Sequence, residues 1–190
     1  TKEDSLFEKK FTTGELPVEP NRYHLVWGRF CPWATPVAIL IDLMGLDKVI
    51  SKTAIYNLRH SGIDDDWFFG ASEMDKDPVL GTSRLSENYK QTDPQFGQRP
   101  TIPALIDVKT GKVVNNNSDD LMNELSTAWQ KYFDTEAPDI FPNDQSEAIL
   151  QLNDVIVKDL TAIPGQISTV TSQQDYEKLA NHYFDRLDWL

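Results

Sequence analysis

The stretch Tyr23–Ala34, YHLVWGRFCPWA, runs from five nearly all-apolar residues into Gly28-Arg29-Phe30-Cys31-Pro32-Trp33-Ala34. Such a run predicts a buried strand over 23–27. Residues 33–46 contain VAILIDLMGL and predict a helix ended by Gly45 and Asp47. Residues 49–57, VISKTAIYN, are rich in β-branched side chains and predict a second strand. Strand, helix and strand within about 35 residues imply a parallel βαβ unit with a right-handed crossover. The chain's one cysteine sits at the first strand-to-helix junction.

Working outward, residues 1–22 read as an irregular arm ending near Pro20-Asn21. Residues 58–84 are long and polar, with Asp64-Asp65-Asp66 ahead of Trp67-Phe68-Phe69. A loop of that length inside a domain is often functional. Residues 85–91 suit a short helix. Pro103–Val108, a turn at Lys109-Thr110-Gly111 and Lys112–Val114 suit a hairpin. From Asp119 to Trp129, Leu121, Met122, Leu125 and Trp129 share one helix face, with Asn117 or Ser118 placed to cap it. Residues 131–145 read as a linker, and 146–190 as the start of an all-α domain. The fold class is therefore an α/β thioredoxin-like domain over 23–130, followed by a partial all-α domain.

Composition narrows the function. The chain has 190 residues, 39% hydrophobic, with a net charge of −12. That charge argues against nucleic acid or an anionic membrane as the main partner. No apolar run approaches the ~18 residues of a membrane span. A single cysteine rules out an internal disulfide and a multi-thiolate metal site. His24, His60 and His182 lack ligand-like spacing, so no metal is expected. The expectation is a cytoplasmic protein whose thiol works reduced.

At a helix N-terminus, amide N–H groups and the positive end of the helix dipole favour the thiolate. Pro32 suits the first helical position, and Arg29 adds positive charge nearby. A thiolate so placed can attack sulfur, but no second cysteine exists to resolve a mixed disulfide. A small-molecule thiol has to do so. A buried, inert cysteine is the competing interpretation.

The segment Arg22–Ala34, RYHLVWGRFCPWA, resembles the active-site segment of the Xi-class glutathione transferases, the glutathionyl-hydroquinone reductases. Trp67-Phe68, Arg99-Pro100-Thr101-Ile102-Pro103, Val114–Ser118 (VNNNS) and Thr171–Glu177 (TSQQDYE) follow in family order. The resemblance implies that Cys31 takes the glutathionyl group from a glutathionyl-hydroquinone. A second glutathione then releases it, with no metal or organic cofactor. It further implies a cis Pro103, Ile102 pairing with the glutathione backbone, and Ser118 holding the γ-glutamyl carboxylate. Arg99 would meet a ligand carboxylate and Trp67 would pack over glutathione. Each has a structural alternative: a strand-start proline, a plain helix cap, a surface arginine, a core anchor. A homodimer is compatible with the family pattern.

Three departures stand out. Asn117 occupies the place of a family glutamate that engages the ligand's α-amino group. Thr35-Pro36 replaces His-Arg, and Pro36 threatens the first helical turn. Ile163-Pro164-Gly165-Gln166 lacks a tyrosine of the quinone pocket. Two further readings stay open: a related transferase using another small thiol, and a glutathione-transferase-like binding module without turnover.

Overall fold

The computed structural model describes residues 7–56, 66–72, 74–140, 142 and 144–190. His60, Asp64 and Asp65, with Asn57 at the end of the second expected strand, lie outside them. The chain divides into two compact units, Thr1–Pro138 and Asp139–Leu190.

In the first unit β1 (Tyr23–Trp27), α1 (Thr35–Leu43) and β2 (Ile50–Ala54) form the expected βαβ unit, with β1 and β2 parallel. After α2 (Leu85–Thr92) come β3 (Ala104–Asp107), β4 (Lys112–Asn115) and α3 (Ser118–Ala128). The sheet order is β2-β1-β3-β4, and β3 runs antiparallel to both β1 and β4. This is the thioredoxin-like arrangement.

Strand alternation sorts the core into two layers. Val26, Ala104, Ile106 and Val113 face Leu85 and Tyr89 of α2, with Trp67 and Phe96 in the same cluster. On the other face Tyr23 meets Trp129, just past α3, with ring centroids 5.9 Å apart. There α1 packs against α3. Gly45 follows α1 at φ 70°, a conformation that favours glycine, and a Cβ there would collide with the Asp134 carboxylate.

The arm is irregular in backbone from residue 7, yet built into this unit. Glu8 bridges to Asn115, and the Lys9 N–H donates to the Val114 carbonyl at 3.1 Å. These contacts cover the outer edge of β4, where a bulge interrupts its register with β3. Phe11 is buried against Tyr23 and Trp129. The buried Glu124 carboxylate accepts the N–H groups of Phe11 and Thr12 at 2.7 and 2.8 Å, and the Thr12 hydroxyl at 2.7 Å.

The second unit holds α4 (Ser146–Ile156), a π-helical turn over Val157–Thr161, α5 (Ile163–Ile167) and α6 (Gln173–Trp189). Ser172 caps α6 by accepting the Asp175 N–H. Asp159 faces Arg186 and His182 of α6 at 3.0 and 3.4 Å. Ile163 alone is buried among the described residues of this unit. No helix among the described residues is long and apolar enough to cross a membrane.

Candidate active site

Cys31 is half-buried at the carboxyl end of β1. Its N–H donates to the Gly28 carbonyl at 2.9 Å, and its own carbonyl accepts the N–H groups of Ala34 and Thr35 at 3.2 and 3.0 Å. The expected helix start at residue 33, with Pro32 in the first helical position, is corrected by two residues. Helix α1 opens at Thr35 with Ala34 as N-cap. Pro32 instead lies in the tight turn that links Cys31 to α1. Pro36 falls in the first helical turn, where a missing N–H leaves no intrahelical bond unmade, so the turn stays intact.

The thiol faces a second element. Cys31 Sγ lies 3.8 Å from the Ile102 carbonyl oxygen, and the Ile102–Pro103 peptide bond is cis. Gly28 allows this approach: a Cβ there would come within 2.8 Å of Ile102 Cδ1 and 3.2 Å of the Phe30 ring.

The loop before Pro103 is held by three side chains from three parts of the chain. Trp67 Nε1 donates to the Pro100 carbonyl at 3.0 Å. The Tyr89 hydroxyl donates to the Thr101 carbonyl at 2.8 Å. Asn116 Nδ2 donates to Thr101 Oγ1 at 3.0 Å and to the Tyr89 oxygen at 3.2 Å. Asn116 is fixed in turn by the arm, its Oδ1 accepting the Phe7 N–H at 3.1 Å. Burial pushes the Tyr89 phenol up to about 12, beyond the opposing pull of Thr101 and Asn116. It therefore remains a donor at neutral pH.

Trp67 itself is buried, with Phe30 and Arg99 against its ring at 5.6 and 5.4 Å. Asn117, not Ser118, is the N-cap of α3, and its Oδ1 accepts the N–H groups of Asp119 and Asp120 at 3.1 and 3.2 Å. Its Nδ2 donates to Glu8 at 3.0 Å. Ser118 opens α3, half-buried. The geometry thus gathers Cys31, Ile102, Pro103 and Trp67 around one loop, with Arg99 on the outer face of the indole. Sequence reasoning passed over Tyr89, Asn116 and Phe7. Asn116 lay inside a quoted motif, and its signal was a polar residue immediately after a buried strand.

Among the described residues, no cluster of His, Cys, Asp and Glu could hold a metal ion. A cavity of about 460 Å³ opens beside the cysteine turn, lined by Arg29, Phe30, Ala54, Ile55 and Tyr56.

Known proteins resemble this chain in sequence and fold. The chain is 30% identical over 172 residues to the glutathionyl-hydroquinone reductase PcpF of Sphingobium chlorophenolicum, covering 90% of this chain and 54% of that protein. It is 29% identical over 177 residues to the glutathionyl-hydroquinone reductase YqjG of Escherichia coli, covering 92% and 53%. A glutathione transferase structure from Gordonia bronchialis matches with a TM-score of 0.86 at 27% identity, over 97% of this chain and 57% of that one. The glutathione-bound structure of E. coli YqjG matches with a TM-score of 0.76 at 28% identity, over 90% and 55%. The chain spans about half the length of the curated relatives it matches. No protein-family profile matches it.

Proposed function

We propose, from this similarity to the glutathionyl-hydroquinone reductases and Xi-class glutathione transferases, that Cys31 is the nucleophile of a thiol-dependent reductase. The observation that carries the reading is the thiol's position, 3.8 Å from the Ile102 carbonyl at the cis Ile102–Pro103 bond. In this reading the thiolate attacks the sulfur of a glutathionyl-hydroquinone. The S–aryl bond breaks, and its electron pair leaves with the ring, which takes up a proton. The products are the hydroquinone and a Cys31–glutathione mixed disulfide. A second glutathione thiolate attacks that disulfide and releases glutathione disulfide and the Cys31 thiolate. Overall, one glutathione thiol and the thioether sulfur of the conjugate are oxidised to a disulfide, and one aryl carbon is reduced.

Ile102 would pair with the backbone of the bound glutathione, beside Pro103. Ser118, with the first N–H groups of α3, would receive its γ-glutamyl carboxylate. Trp67 would form the wall behind Ile102, and Arg99 would meet a second carboxylate. One observation favours a different small thiol. The Asn117 side chain is already engaged, its oxygen by two helix N–H groups and its nitrogen by Glu8. It has little left for a ligand ammonium group.

The test is hydroquinone release from a glutathionyl-hydroquinone, native chain beside Cys31→Ser, with glutathione and other small thiols in turn. Turnover with glutathione that disappears in the serine variant supports the reading. Turnover only with another thiol moves it to the related transferase. No turnover with any thiol leaves a binding module without chemistry.

A further inference from the structure

Three side chains that no step at Cys31 uses gather near the other end of β1. His24 on β1 and Ser51 on β2 are directly paired across the two parallel strands. His24 Nδ1 lies 2.7 Å from the Ser51 hydroxyl oxygen. Asp77, from the long loop, sets its Oδ2 at 3.3 Å from His24 Nε2. His24 and Asp77 are buried, whereas Ser51 is exposed. The Cys31 turn lies past the carboxyl end of β1, roughly 10 Å or more away at the usual rise of about 3.3 Å per residue.

The charges in this cluster run in a definite direction. Burial opposes ionisation of the Asp77 carboxyl, but His24 and the Leu80 N–H outweigh it and bring it down to about 2. Its Oδ1 accepts the N–H groups of Val79 and Leu80 at 2.8 and 2.7 Å. An ionised carboxylate facing Nε2 keeps the imidazole proton on that nitrogen, which assigns the lone pair to Nδ1. The Ser51 hydroxyl therefore donates to Nδ1. His24 Nε2 and Asp77 Oδ2 have no hydrogen-bond partner among the described residues, so they meet as an ion-pair contact. Contacts of this kind are often loose at rest and tighten along a reaction. Exposed hydroxyl, imidazole and buried carboxylate thus stand in the order of a serine–histidine–aspartate relay, with the two ring nitrogens exchanged.

Strand geometry adds a fourth group. The Ile55 N–H donates to the Trp27 carbonyl of β1. Backbone groups alternate along a strand, so the Lys52 N–H turns to the outer side of β2, the edge strand of the sheet. It directly follows Ser51, the position from which serine hydrolases draw one oxyanion donor.

We propose that Ser51 is a second nucleophile of this chain, taking the acyl group of a small activated ester with His24 as its general base. Ser51 Oγ bonds to the ester carbonyl carbon while its proton passes to His24 Nδ1. The bond from that carbon to the leaving oxygen breaks, and the departing alcohol or phenol takes the proton. Water, giving a proton to the same nitrogen, then attacks the acyl-serine, releases the carboxylic acid and restores the hydroxyl. No group is oxidised or reduced. The inference stands apart from the reductase reading of Cys31.

An alkyl fluorophosphonate and p-nitrophenyl acetate test it, both on Cys31→Ala, since the thiol would also attack the ester. The fluorophosphonate is expected to label the Ser51 peptide on the order of a hundredfold faster in the folded chain than in urea, the scale of general-base assistance. The ester is expected to leave an acetyl group on the same peptide. Ser51→Ala, at an exposed position, should abolish both. His24→Gln keeps a hydrogen-bonding side chain that cannot take up the proton, and should drop labelling to the rate in urea while circular dichroism reports a folded chain. Equal labelling of Ser51 in the folded chain and in urea overturns the proposal, as does labelling confined to other residues; neither outcome needs a variant to fold. Fast Ser51 labelling that survives in folded His24→Gln overturns it too.

Discussion

The Tyr89 hydroxyl donates to the Thr101 carbonyl at 2.8 Å, and the next residue, Ile102, turns its carbonyl to the Cys31 thiol at 3.8 Å. A helix on one face of the sheet thus holds the backbone that faces the nucleophile. Tyr89→Phe keeps the ring packing and removes the donor. Leaving that half-buried carbonyl short of a partner costs about 1 kcal/mol. If the loop positions the thiol ligand, KM for the thiol rises while kcat changes less. Ile106→Val is the control: it trims the same core for about 0.5–1.5 kcal/mol and is expected to leave KM alone. A parallel rise in both variants would reduce Tyr89 to a stability residue.

Gly28 is where the two walls of the site meet. A Cβ there comes within 2.8 Å of Ile102 Cδ1 and 3.2 Å of the Phe30 ring. Both are side-chain atoms, so the site repacks, and overpacking of this kind costs roughly 1–3 kcal/mol. Gly28→Ala is expected to fold, with turnover reduced at least tenfold, because the displaced groups are the two that flank Cys31. Full activity in a chain whose melting temperature has fallen would show that the Ile102 and Phe30 positions do not matter to the reaction.

The sheet was legible because its signals are local. β-branched and apolar runs marked β1 to β4 within a residue or three, while the cis bond before Pro103, which the structure contains, was implied only by the family resemblance. The start of α1 was less legible, since Pro32 and Pro36 both suit a first turn and only the bond from Thr35 N–H to the Cys31 carbonyl decides between them. What holds the site was not legible at all. Asn116 meets the Phe7 backbone across 109 residues, and Glu124 meets Phe11 across 113. His24, one of three scattered histidines by sequence, is buried against Asp77 from the long loop. Such pairings depend on which ends of the fold converge, and no periodicity records that.

The arm should come loose when its anchor is removed. Glu124 is buried and receives three donors from Phe11 and Thr12. Glu124→Ala strands the buried Phe11 N–H and is expected to cost about 2–4 kcal/mol. Glu124→Gln keeps an acceptor oxygen and should lose about half of that. Trypsin cleavage after Lys10 and amide exchange at Phe11 and Thr12 read the arm directly. Because Phe7 also fixes Asn116, the alanine variant should weaken thiol binding too. An arm that stays protected in Glu124→Ala would mean that Phe11 packing alone holds it.

The contact between His24 and Asp77 gives the fold an acid limit. The two buried side chains meet at 3.3 Å, His24 Nδ1 lies 2.7 Å from the Ser51 hydroxyl, and Asp77 Oδ1 accepts the N–H groups of Val79 and Leu80. Burial alone would push the Asp77 carboxyl up, but His24 and the Leu80 N–H together pull it down, from the ordinary 3.8 to about 2. A carboxyl lowered by folding stabilises the native state above its unfolded value and loses that contribution as pH falls through the folded one. The contribution, on the order of 2 kcal/mol, should therefore be complete at pH 5 and above and fade between about pH 4 and pH 2. Denaturant midpoints of the native chain and Asp77→Asn at pH 7, 4 and 2.5 measure it. The gap between them should be widest at pH 7 and fall to about a third of that at pH 2.5. A gap that does not depend on pH would mean that the carboxyl's shape and hydrogen bonds, not its charge, hold the loop to β1.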